Sequence, residues 1–430
     1  MHGLTGNTPP TGSPAPDNKL ISRSMLLVLV AMTGAAPVAM YILVPALPML
    51  ARDFSRDISI AQMTVSLFMV GIAFSQVVLG PLSDKLGRRP VMLGGMALMM
   101  LASVGCIFAE TLPQLIAARF LQALGGACGM VIGRAIIRDL YPRERVGSMI
   151  SLVVAVMMIA QMLSPLLGGV LEISLGWRAI FYVLALVSVL VTILVAVALP
   201  ETRRAADRLP GASFLSDARS LTTSRAFVGY VLCQVLASSI IFTFAGGGPY
   251  VVVMQMHRSP AEYGAWFATS GLAYLIGNLG CVRFSPRHSL ERLIWFGLAL
   301  QLLGAALNLI WGLLGYNQQP SWLFGTHMLI TFATAFVLSN SAAGAISVKP
   351  EAAGTASGLM GFLQMGFGAL CSQFGAWLGG HFATPVPLNI ALVVLSLACA
   401  ASMIFLVPRG GALATEDLIE KAEEEETGLL

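Results

Sequence analysis

Twelve long apolar runs separated by short polar intervals organise the 430 residues of this chain. They fall at roughly 25–50, 60–82, 90–108, 114–137, 148–171, 179–199, 226–253, 263–281, 293–314, 322–346, 354–377 and 387–407. Each matches the ~20 residues an α-helix needs to cross the hydrocarbon core of a bilayer. A membrane barrel would instead show short segments of alternating polarity, and these runs are continuous and rich in Leu, Val, Met and Ala. The pattern therefore predicts an all-α membrane protein with twelve transmembrane helices. The longest polar interval, 200–225, has six runs before it and six after it. That division predicts two pseudo-symmetric six-helix bundles, an architecture built from repeats. The expected organisation is a disordered cytoplasmic tail (1–22), an N-terminal bundle (23–199), a cytoplasmic linker (200–225), a C-terminal bundle (226–407) and an acidic cytoplasmic tail (408–430).

Composition supports this and removes other classes. Charged residues make up 11% of the chain and the mean hydropathy is +0.81, against roughly 25% charged residues in soluble domains. The net charge of +4 is spread over short loops, so no nucleic-acid partner is expected. With the N-terminus placed inside, nineteen of the 25 Lys and Arg fall on the inner side, four on the outer side and two (Arg119, Arg134) within a span. This asymmetry predicts a multi-pass membrane protein with both termini cytoplasmic. The six cysteines lie in or beside apolar runs with no close pair, so neither a metal site nor a cofactor is expected. Metalloprotease, nucleophile-elbow and phosphate-loop motifs are absent from the sequence, so no catalytic residue is named and an enzyme is not expected.

Several polar residues stand out against this background. The turn at 80–90 holds Gly80, Asp84, Gly87, Arg88 and Arg89 between two apolar runs. Asp84 can accept hydrogen bonds at a helix N-terminus, and Arg88 can pair with Asp139 at the inner end of the fourth span. Arg119 and Gln122 lie inside that span; an intramembrane arginine is costly and functional by default, unless it snorkels to the interface. Gly246, Gly247 and Gly248 before Pro249 are expected to break or kink the seventh span. This would serve as a gating hinge or mark a loop that begins early. His327 is either a titrating group or a hydrogen-bonded structural one.

These motifs carry a resemblance. The 80–90 segment resembles the signature loop between the second and third helices of the major facilitator superfamily, in which such a cluster latches the two halves on the cytoplasmic side. Arg119 followed by Gln122, Gly125 and Gly126 resembles the family's fourth-helix motif. Ser164, Pro165, Gly168 and Gly169 resemble the fifth-helix motif of its antiporters, with serine in place of the first glycine. Pro45–Pro48, Gly176–Arg178, Leu199–Thr202 and Arg138–Tyr141 together resemble the Bcr/CflA branch of bicyclomycin and chloramphenicol resistance, drug:proton antiporters. The resemblance implies export of small, mostly hydrophobic compounds in exchange for protons, by a protein expected to be a monomer in the lipid bilayer. Tyr41 occupies a position where that branch often carries aspartate, and no acid falls at mid-span.

The proton-coupling candidates are therefore nearer the aqueous ends: Asp139, Glu110, Glu172 and His327. Tyr41, Arg119, Gln122, Gln161, Phe242, Asn340 and Gln364 lie at plausible depth for a substrate cavity. A major-facilitator transporter of a specific metabolite or nutrient is the alternative on the same fold; a membrane enzyme is the third reading, with a sensor that does not transport beside it.

Overall fold

The computed structural model of the chain describes residues 23–141, 143–202, 214–316 and 319–408. The expected N-tail (1–22), residues 203–213 of the linker and the acidic stretch from 409 onward lie outside them. Pro45 and Pro48 lack a backbone N–H, and each sits in the first turn of a helical segment, where that N–H has no intrahelical partner. The first span is therefore jointed: α1 (Arg23–Ile42), a 3₁₀ turn (Val44–Ala46) and α2 (Leu47–Asp53). The rest of the first half is α3 (Ile58–Leu86), α4 (Arg88–Ile107), α5 (Leu112–Leu140), α6 (Arg143–Leu175) and α7 (Arg178–Ala198). The second half is α9 (Arg225–Tyr250), α10 (Pro260–Phe284), α11 (Leu290–Leu313), α12 (Pro320–Ser347), α13 (Ala353–His381) and α14 (Val386–Leu406).

Eleven of these spans are long and apolar enough to cross a membrane, counting α1 and α2 as one. The twelfth, α13, has 29 residues, but its many glycines and glutamines dilute its hydropathy. That composition suits its place, packed between α9 of its own half and α3 of the other. The pairing pattern repeats between halves. In the first, α1 packs on α6, α3 on α5, and α4 on α5 and α7; in the second, α9 packs on α13, α10 on α12, and α11 on α12 and α14. The main contacts between halves are α3 with α13 and α6 with α10.

Three expectations are corrected by the structure. Residues 80–86 are not a loop: α3 continues to Leu86, and Gly87 alone separates it from α4. Its φ of +101° requires glycine, and a Cβ there would stand 2.7 Å from Glu201 Oε2. Pro90 is tolerated because it lies in the first turn of α4. Within the linker, Phe214–Thr223 forms a further helix, α8. It is docked on the second half through Asp217, which pairs with Lys349 at 3.9 Å and accepts from Thr355 at 3.5 Å.

The third correction concerns Gly246–Pro249. α9 runs through these residues to Tyr250 and continues as a five-residue π-helix, Val251–Gln255. The glycines are a packing surface: a Cβ on Gly246 would collide with the Ser372 carbonyl of α13, and one on Gly247 would stand 2.6 Å from the Gly375 carbonyl. Small residues allow this backbone approach where no hydrophobic effect drives helices together. Gly246→Ala is therefore expected to lower Tm by several degrees and reduce the folded yield. Gly354→Ala, with nothing within 4 Å of its Cβ, is expected to match the wild type. Equal thermal stability of the two variants would reject the packing role.

Candidate functional site

The halves meet along one end of the molecule. Asp57 caps α3 by accepting from Ser59 N at 2.7 Å, and that bond holds its carboxyl below the usual carboxylate range. It lies 3.9 Å from His381 of α13. Gln373 donates to the Ser59 carbonyl at 2.6 Å and accepts from Ser66 at 3.0 Å, and Gln62 donates to Ser372 at 2.9 Å. On the other flank, Gly169 abuts Pro260 and Ala261, and Gly264 abuts Pro165 and Leu166. Close contacts between α3 and α13 extend as far as Gln76 and Gly358. Toward the Asp84 end, the diverging end, no such close contact continues at the glycines of these helices: Gly80 of α3 and Gly354 of α13 have nothing within 4 Å of a Cβ. Pro165 and Gly169 thus belong to the contact between halves, while Gly168 backs onto the Ile42 carbonyl of α1.

Behind this closure lies a cavity of about 440 Å³ between the halves. Seven methionines line it: Met40, Met130, Met157, Met158, Met162, Met360 and Met365. Tyr41, Phe242, Phe267 and Tyr274 supply aromatic surface, and Gln76, Gln161, Gln234 and Gln364 supply amides. Tyr41 meets Phe267 across the halves, the rings tilted by 36° with centroids 5.8 Å apart, and Gln161 is its hydrogen-bonding neighbour. Gln364 accepts from Gln234 at 3.2 Å. Among the described residues no carboxylate lines the cavity; its charged lining residue is Arg134, exposed on α5. Methionine is flexible and polarisable, so such a wall adapts to ligands of different shape.

Tyr41, Gln161, Phe242 and Gln364 therefore line the cavity, whereas Arg119, Gln122 and Asn340 do not. Arg119 is fully buried inside the first half. It donates from Nη2 to the Ala39 carbonyl of α1 (3.0 Å), from Nε to the Thr64 carbonyl of α3 (3.3 Å) and from Nη1 to Gln122. Its guanidinium lies 4.1 Å from the Phe68 ring centroid. Gln122 passes the connection to Ser103 of α4 at 2.7 Å. The side chain ties four helices and does not snorkel. Asn340 bonds the Phe336 carbonyl and Cys281, within the second half.

At the diverging end, Arg88 is almost fully buried and shared by two carboxylates, Asp84 at 2.7 Å and Asp139 at 3.3 Å. Ser83 accepts from Arg88 at 2.6 Å and in turn donates to the Gly80 carbonyl. Thr202 donates to Asp139 at 3.1 Å. Glu201, just past α7, accepts from the Arg88 and Arg89 backbone N–H groups at 3.0 and 3.2 Å. The helix N-terminus of α4 is thus capped by Glu201, and Asp84, which the sequence suggested for such a role, pairs with the Arg88 side chain. Arg89 reaches the Ala196 carbonyl of α7 at 2.7 Å. All of these contacts join elements of the first half.

The other proton-coupling candidates are dispersed. Glu110 is exposed in the α4–α5 turn, its N–H donating to Gln114. Glu172 lies near the closed end, with Asp53 as an electrostatic neighbour; Asp53 accepts from Trp177 at 2.8 Å. His327 is fully buried in the cavity wall, stacked on Phe244 at 3.5 Å and paired through Nδ1 with Ser270 at 3.0 Å.

The pattern shared by the Major Facilitator Superfamily matches residues 29–370. The chain belongs to this superfamily. It is 30% identical over 408 residues to multidrug resistance protein D of Escherichia coli, covering 88% of this chain and 97% of that one. It is 26% identical to a bicyclomycin resistance protein homolog of Haemophilus influenzae, covering 86% and 94%. These names fit the Bcr/CflA branch that the motifs resemble. A bacterial homolog of the human lysosomal transporter Spinster shares the fold, with a TM-score of 0.65, 17% identity and coverage of 89% and 94%.

Proposed function

We propose that this protein is a secondary transporter that exports small, mostly apolar compounds of varied structure by alternating access, in exchange for protons. The observation that carries this reading is the methionine- and aromatic-lined cavity between two bundles, closed at one end and flanked at the other by the Arg88 cluster. A site for one polar metabolite would present several fixed, convergent polar groups; here the amides are scattered over a pliable apolar wall. The multidrug- and bicyclomycin-resistance names of the relatives agree with it. The diverging end faces the cytoplasm in this reading, as the basic residues on that side suggest, and the membrane is a bacterial inner membrane. The Arg88 cluster latches that end when it closes. The protein acts as a monomer, since each chain encloses its own cavity.

Cells expressing the protein are expected to extrude several chemically unrelated fluorescent drugs and to stop when the proton gradient is collapsed. Growth on a single metabolite, with unchanged drug accumulation, would instead establish the nutrient transporter.

A further inference from the structure

The charge of the cavity wall narrows the substrate class. Arg134 is exposed to the cavity from α5, and it makes no hydrogen bond or ion pair with any described residue. Its charged neighbour is Arg138, one turn further along the same helix and of the same sign. The other charged group of the span, Arg119, is saturated by its own partners, so the two arginines differ in kind. One is an internal strut; the other is a planar donor fork left open toward the site.

No carboxylate among the described lining residues offsets it, and the low-dielectric wall around it keeps its field from being screened as it would be on an open surface. A permanently cationic ligand would find no counter-charge in this cavity and one like charge. An anionic ligand would find a guanidinium whose geometry matches a carboxylate in bidentate fashion.

We infer that the cavity selects compact amphiphiles that carry a single anionic group, with a carboxylate at Arg134 and an aromatic or alicyclic body against Met157, Met158, Met162, Phe242 and Phe267. This deepens the exporter reading and rests on it for the transport step. It also gives that reading a direction: weak acids and neutral compounds are carried in preference to lipophilic cations. Arg119, which the sequence offered as a cavity residue, is turned away from this site, and Arg134 is the arginine that faces it.

Three pyrene probes of matched size test the inference: pyrene-butyrate, its amide and the corresponding trimethylammonium compound. Binding is measured by fluorescence to the purified full-length protein in lipid nanodiscs, with thermal stability recorded for each variant. For the wild type, the carboxylate is expected to bind roughly tenfold tighter than the amide, and the ammonium compound weakest. In Arg134→Gln the ratio of carboxylate to amide affinity is expected to fall about tenfold, with unchanged Tm, and Arg134→Lys is expected to restore part of it. A wild type that binds the ammonium probe as tightly as the carboxylate would overturn the inference, and so would an Arg134→Gln ratio equal to that of the wild type. Transport separates the two readings. Gradient-dependent export of the amide without export of the carboxylate would overturn this inference and leave the exporter standing. Arg134-dependent carboxylate binding with no export of either would support this inference and remove the exporter.

Discussion

Arg119→Ala is expected to destabilise the protein by about 1–3 kcal/mol, because two interhelical hydrogen bonds are lost, each contributing about 0.6–1.7 kcal/mol inside a membrane, together with the bond that orients Gln122 of its own helix. The loss falls on the first half as a whole. Arg119 joins α5 to the Ala39 carbonyl of α1 and the Thr64 carbonyl of α3, and through Gln122 to Ser103 of α4. Folded yield and Tm in detergent should both drop, and transport of every substrate should fall in proportion to folded protein. Arg119→Lys should recover only part, since one ammonium cannot reproduce a fork that points at three acceptors. Arg134→Ala should lose less activity overall and lose it selectively. An Arg119→Ala protein with wild-type Tm would show that the bonds add nothing to the bundle.

The contrast between these arginines shows what was legible in the sequence. Depth was legible: both arginines fall inside the fourth span, where a charge is costly and marks each as functional. Facing was not. In a span that is apolar on all sides, a polar residue can turn toward the cavity or toward a neighbouring helix, and periodicity does not separate the two. Tyr41, Gln161, Phe242 and Gln364 turn to the cavity, while Gln122 and Asn340 turn to helices of their own half. The twelve spans were legible because each is a long apolar run. Even α13, the least apolar, was readable from its length.

The three glycines before Pro249 illustrate a different limit. Local rules favour a break there, but the tight face they offer to α13 keeps α9 continuous. Glu201 was missed as a cap because 112 residues separate it from the Arg89 N–H it accepts from, and spacing along the chain carries no trace of that contact.

Asp139→Asn is expected to abolish uphill export driven by a pH gradient while leaving downhill exchange of the same compound. Arg88 is almost wholly buried and holds two carboxylates, Asp84 and Asp139. An exposed ion pair contributes roughly 0–1 kcal/mol. A charge left in a buried site without its partner is far more costly, so the state of Asp139 matters to the whole cluster. A proton on Asp139 removes one negative charge from beside Arg88 and weakens the Asp139 bond without breaking the Asp84 bond, which is the kind of differential contact that shifts a two-state balance. Asn at 139 imitates the protonated form permanently. Asp84→Asn weakens the other arm and should slow turnover about tenfold, the effect of losing one charge-assisted hydrogen bond of about 1.5–3 kcal/mol in part. A double-mutant cycle between Arg88 and Asp139, read on gradient-driven export, should show coupling above about 1 kcal/mol. If Asp139→Asn still concentrates drug outside in response to a pH gradient, the proton is carried elsewhere, and His327, alone of the other candidates in lining the cavity, becomes the group to substitute next.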